Sequence, residues 1–166
     1  RILVPALENA YIGSMSRAFV RESDAVEELP EKLVSEHRNL VTPEGLALIE
    51  AEVERLQDEL AAGQRSGDRD AIQRTSRDLR YWTQRLTTAE VQAAPSNASV
   101  VSFGSTVTLE RDDGRVQTFR IVGEDESDPA KGRISYVSPL AQALMEKSVG
   151  DTVTAGAGEA EIITIE

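Results

Sequence analysis

The sequence predicts an α+β protein: an N-terminal antiparallel helical hairpin followed by an antiparallel β-sheet domain with one short helix. Three observations point there. Two stretches carry apolar residues at alternating spacings of three and four, a glycine-bearing turn separates them, and beyond Pro95 the apolar period changes to two. A chain of 166 residues, 40% hydrophobic and 28% charged, has apolar material for one core or two small ones. Aromatics make up only 4%, so that core must be built from Leu, Ile, Val and Ala, with Trp82 and the three Phe as isolated anchors.

Residues 1–14 read as a tag or leader ahead of Met15, and residues 15–42 as an acid-rich extended arm without sustained periodicity. The hairpin is assigned to residues 43–92. Thr42 suits an N-cap, Pro43 the first helical position, and Glu44 the positive helix end. Leu46, Ile49, Val53, Leu56 and Leu60 then form a narrow seam of coiled-coil type. Gly67 allows a left-handed turn, and Asp68 or Asp70 can cap a second helix. Ile72, Thr75, Leu79, Trp82, Leu86 and Ala89 make the second seam, so two helices of about six turns face each other. Charge agrees: residues 43–67 hold six acids and two arginines, residues 68–91 four acids and five arginines. That asymmetry favours the two arms pairing with each other.

The second unit is assigned to residues 98–166. Val101 and Phe103, residues 106–110 and residues 115–122 read as strands, with Asp112-Asp113-Gly114 as a hairpin turn. The acidic loop of residues 123–129 reads as solvated, with a cation site at Glu124 to Asp128 as the alternative. A strand over 133–137, a helix over 140–147 capped by Ser138-Pro139, and a last hairpin of 152–155 with 161–165 complete the domain. One helix on a twisted sheet buries the sheet's apolar face.

Composition excludes several function classes. The absence of Cys removes disulfides, thiolate metal sites and Cys nucleophiles, and fits a reducing compartment. No apolar run approaches the roughly 20 residues that span a bilayer, so no membrane association is expected and the location expected is cytoplasmic. A net charge of −11 argues against a protein that coats nucleic acid unaided. His37, the only His, has no partner for nucleophilic or metal chemistry, and no Ser/His/Asp set, phosphate loop or zinc spacing exists. The reading is therefore of a chain that is not an enzyme, with no catalytic residue, metal or cofactor assigned.

Several stretches resemble the GreA/GreB transcription elongation factors. Leu40-Val41-Thr42-Pro43-Glu44-Gly45 is similar to the family's LVT-x-E-G start, and Phe119-Arg120-Ile121-Val122-Gly123 followed by Asp125-Glu126 to its FRIVG-x-DE segment. Ile134-Ser135, Ser138-Pro139-Leu140-Ala141 and Ala143-Leu144 resemble its IS-x-x-SP-x-A-x-AL, and Val149-Gly150-Asp151 with Gly158-Glu159-Ala160-Glu161 complete the match. The resemblance implies an FKBP-like C-terminal domain that docks beside the secondary channel of bacterial RNA polymerase, with Asp125, Ser138 and Pro139 as polymerase-binding residues. It also implies a hairpin that enters that channel and presents tip acids to a catalytic Mg²⁺, where a carboxylate can orient the water that cuts backtracked RNA. Nucleic acid would be met only through the polymerase, and the protein is expected as a monomer.

Three departures bear on that mechanism. The family's tip reads G-D-x-x-E-N, whereas Gly67-Asp68-Arg69-Asp70-Ala71 spaces its acids two apart and has Ala at the Glu position. The hairpin is also shorter by roughly two to three turns per arm, on the order of 12–16 Å. Val137 replaces the polar residue before Ser-Pro. The expectation is a factor that binds the polymerase and regulates elongation, with the tip arguing against cleavage stimulation. A cleavage-stimulating factor using Asp68 and Asp70, and a prolyl isomerase-like domain, stay as alternatives. Arg65 and Arg69 lower the negative charge at the tip and favour a turn-and-cap role for both acids. Arg74, Arg77, Arg80 and Arg85 form a basic stripe, read as solvated surface complementing the acidic arm and alternatively as a contact for RNA or polymerase.

Overall fold

The computed structural model describes residues 28–166, so the expectations for residues 1–14 and for the first part of the arm lie outside the described residues. The chain runs β1 (Leu40–Val41), α1 (Pro43–Ser66), α2 (Arg69–Thr88), β2 (Glu90–Val91), β3 (Thr106–Arg111), β4 (Val116–Val122), β5 (Arg133–Ser135), α3 (Pro139–Leu144), β6 (Thr152–Ala155) and β7 (Gly158–Ile165). It is a mixed helix and sheet fold with the helical pair first.

Local chemistry sets the helix ends. Thr42 Oγ1 accepts from Gly45 N at 3.0 Å and Pro43 opens α1, while Gly67, at φ 70°, closes it in the left-handed region. Asp68 Oδ1 accepts from Ala71 N at 3.0 Å and starts α2. Along the seam Ile49, Val53 and Leu56 are buried, but on α2 only Thr75 and Arg85 are, with Ile72, Leu79, Trp82 and Leu86 half-buried. Gly63 brings the helices together near the turn: a Cβ there would sit 3.3 Å from Ile72 Cγ1.

The base of the hairpin is tied by a feature that short-range patterns do not reveal. β1 and β2 pair in parallel, Leu40 opposite Glu90 and Val41 opposite Val91, with Glu90 N donating to Asn39 O and Gln92 N to Val41 O. Antiparallel helices of similar length bring the residues entering α1 and those leaving α2 close together, and the helical hairpin is itself the crossover connection that joins these two parallel strands.

The second sheet has the order β5-β4-β3-β7-β6. β3 pairs antiparallel with β4 across a turn in which Gly114 takes φ 82°, and with β7 on its other side. β4 and β5 run parallel, because the chain crosses over through two short 3₁₀ turns, Glu124–Glu126 and Pro129–Lys131. Val107 and Leu109 of β3 are fully buried, and opposite them β7 turns Ile162 and Ile165 inward. That three-residue step breaks the expected period of two, because a bulge shifts the β3–β7 register between Thr108 and Leu109.

Several element expectations are corrected: the sheet is not wholly antiparallel, since β4 and β5 run parallel, and the strand expected over 133–137 ends at Ser135. Val101 and Phe103 are not in a strand: they are buried core residues of the turn that precedes β3. The helix over 140–147 ends at Leu144, because Val101 N donates to Lys147 O and Glu146 N donates to Val101 O, with Glu146 held at φ 64°. The core cluster also holds Ile121, Ile134, Ala141, Leu144, Val153 and Ala160, with Phe119 and Tyr136 packed against it.

Candidate functional site

Two regions hold the residues singled out in the sequence: the hairpin turn, and the junction of the hairpin with the sheet domain. At the turn every residue from 64 to 70 is exposed. Asp68 is engaged as the α2 cap, leaving one carboxylate oxygen outward, while Arg69 and Asp70 stand exposed on the first turn of α2. Among the described residues no group of three or more His, Cys, Asp or Glu is arranged to hold a metal ion.

Ser138 caps α3, its Oγ accepting from Ala141 N at 3.3 Å, and Pro139 at the first helical position is exposed. Asp125 is placed differently from these two. Its Oδ2 accepts from Arg85 Nε at 2.5 Å and its Oδ1 from the Tyr81 hydroxyl at 2.7 Å, so its side chain is only 9% exposed. Burial first, then the hydrogen bond to Asp125, pushes the Tyr81 hydroxyl up to about 12.

The neighbouring acids complete the junction. Glu126 is buried, its Oε2 accepting from Thr42 N at 3.0 Å and Gly123 N at 3.1 Å, its Oε1 from Thr42 Oγ1. Glu124 Oε2 lies 3.7 Å from Arg85 Nη2. Gly45 and Gly123 make this approach available: a Cβ on Gly45 would lie 2.0 Å from Glu126 Cδ, and one on Gly123 would lie 2.4 Å from Leu40 O.

Two surface expectations therefore change. The acidic loop is not simply solvated, since Asp125 and Glu126 clasp both ends of the hairpin. Arg85 does not belong to a solvated basic stripe: it is 2% exposed, and its carbonyl accepts from Asn39 Nδ2 at 2.7 Å. The available signal was Tyr81 and Arg85, four residues apart and off the apolar seam, which share one face of α2.

Of the rest of the stripe, Arg80 meets the arm. Arg80 bonds Glu31, holding that carboxyl below its usual range, and Lys32 pairs with Asp78 at 3.1 Å while lying 5.7 Å from the Tyr81 ring. Arg77 pairs with Asp78 at 3.0 Å, and Arg74 is exposed. Residues 28–39 thus have no helix or strand, yet run along α2 and are tied at Tyr136, whose hydroxyl donates to Arg38 O. Trp82 is half-buried and meets Tyr81 edge-on at 5.3 Å, and Phe103 meets Tyr136 edge-on at 5.8 Å, so these rings serve packing.

Comparison with known proteins adds to this picture. Residues 95–166 match the family described as "Transcription elongation factor, GreA/GreB, C-term". The chain is similar to Transcription elongation factor GreB of Xanthomonas axonopodis pv. citri, at 38% identity over 132 residues, 68% of this chain and 79% of the relative. It is 44% identical over 96 residues to GreB of Neisseria meningitidis serogroup B, covering 54% of this chain and 59% of that relative, so it spans little more than half of that protein. A solved structure of a GreA/GreB elongation factor from Nitrosomonas europaea aligns over 76% of this chain and 97% of its own, at 20% identity and a TM-score of 0.39. The matches overturn the expectation that the chain is not an enzyme. They identify elongation-factor relatives, and the lack of a catalytic set within one chain says nothing about chemistry at a centre completed by another macromolecule.

Proposed function

Because the chain belongs to the GreA/GreB family of transcription elongation factors, we propose that it binds RNA polymerase beside the secondary channel and regulates elongation. Within this proposal residues 43–92 act as the inserted hairpin and residues 98–166 as the docking unit. The observation that carries it is the hairpin itself, anchored at its base by the clasp and ending in a turn whose residues are all exposed.

Docking is assigned to the surface around Ser138 and the exposed Pro139. Asp125, with both oxygens engaged by Tyr81 and Arg85 of α2, is assigned to holding the hairpin rather than to direct contact with the polymerase. Stimulation of RNA cleavage is not part of the proposal: Asp68 is tied into the helix cap, Ala71 stands three residues on, and two exposed acids flanking Arg69 supply a weak field for Mg²⁺.

The test uses purified bacterial RNA polymerase and stalled, backtracked complexes. The chain is expected to co-migrate with the polymerase, to lose affinity on Pro139→Ala, and to leave the rate of transcript 3′-end shortening unchanged. Failure to bind would remove the proposal. Rapid shortening that Asp68→Asn or Asp70→Asn abolishes would overturn the part about cleavage.

A further inference from the structure

Three consecutive acids of one turn, Glu124, Asp125 and Glu126, grip the two helices of the hairpin at different places. Glu126 grips the start of α1 through Thr42, which in turn caps that helix. Asp125 grips α2 near its end through Arg85, with Tyr81 one turn earlier on the same carboxylate and Glu124 flanking the guanidinium. A single rigid body rotates freely about one fixed point, whereas two separated points remove the swing in the plane that contains them.

From this mount, to which the Glu44–Arg120 pair at 3.2 Å adds on the α1 side, we infer that Arg85 and Asp125 are positioning residues that set the direction in which the hairpin leaves the sheet domain. Helix axes in such a pair lie about 8–10 Å apart. From Thr42 the 24 residues of α1 carry the turn roughly 36 Å away at 1.5 Å per residue. The mount therefore works as a lever of about fourfold, and a slip of ~1 Å at the Arg85 grip moves the turn by ~4 Å. A buried ion pair is a poor device for stability alone, since an apolar pair of similar volume often serves as well, but charge-assisted hydrogen bonds fix angle and distance. Arg85 is buried off the apolar seam, with its Nε on Asp125 and Glu124 3.7 Å from its Nη2, so its partners fix its direction as well as its distance.

The inference deepens the proposed function, since aim matters only if the turn must reach a partner, but the aim is measurable without one. The chain has no Cys, so Arg69→Cys in the turn and Val116→Cys on the exposed face of β4 accept spin labels at two chosen sites. Pulsed electron-resonance distances between them are expected to be narrowly distributed in the otherwise unaltered protein. Arg85→Gln and Asp125→Asn should each shift or broaden the distribution by about 3 Å or more while helical circular dichroism is retained, and Arg85→Lys should restore it in part. If Arg85→Gln does not fold, Asp125→Asn, which keeps the shape and an acceptor, carries the comparison. Unchanged distances in a folded Asp125→Asn or Arg85→Gln protein would overturn the inference, whatever polymerase binding does. Altered distances together with no polymerase binding by any form would uphold the mount and remove the proposed function instead.

Discussion

Gly45→Ala is a one-carbon change whose sign separates two effects. In an exposed helix, Ala is better than Gly by about 1 kcal/mol, so propensity alone predicts a more stable protein. Here the new Cβ would lie 2.0 Å from Glu126 Cδ and 2.2 and 2.5 Å from its two oxygens, well inside contact distance. Glu126 cannot easily retreat, because its carboxylate holds Thr42 N, Thr42 Oγ1 and Gly123 N at once. Hydrogen bonds to a charged group contribute about 1.5–3 kcal/mol each, so losing two of the three costs roughly 3–6 kcal/mol. After the propensity gain, Gly45→Ala should destabilise by about 2–5 kcal/mol. Urea unfolding followed by circular dichroism measures it, and combining the change with Glu126→Ala should recover part of the loss, because the clash then has no partner. A Gly45→Ala protein as stable as its parent, or more so, would refute the claim that Glu126 fills that space.

The two tip acids should part company in the same assay. Asp68→Ala removes the α2 cap and should cost about 1 kcal/mol, while Asp70→Ala, exposed and without a cap to lose, should stay within about 0.5 kcal/mol of the parent. In the alkaline range, the folded Tyr81 hydroxyl holds its proton up to about 12, against about 10 for an unfolded tyrosine. The stability this confers is complete below pH 10 and is lost as pH rises from about 10 to about 12, since only the unfolded chain ionises there. Tyr81→Phe should flatten that part of the stability profile; an identical alkaline slope in the variant would contradict it.

How much was legible in the sequence depends on the distance over which each feature is decided. The helical seams, the Thr42 and Ser138 caps, the left-handed Gly67 and the turn at Gly114 each depend on neighbours within about four residues, and the sequence by itself determined all of them, while for the second cap it left Asp68 and Asp70 open and the structure selects Asp68. The tertiary structure alone decided the rest. Glu126 meets Thr42 across 84 positions and Asp125 meets Arg85 across 40, so an acidic loop that reads as solvated and an arginine that reads as surface become the joint of the molecule. The parallel β1–β2 ladder, the bulge opposite β3 and the arm along α2 belong to the same class. A charged side chain is compatible with solvent or with a buried partner, and nothing in its own stretch of chain chooses between them. The fold makes that choice when it brings the partner within hydrogen-bonding reach.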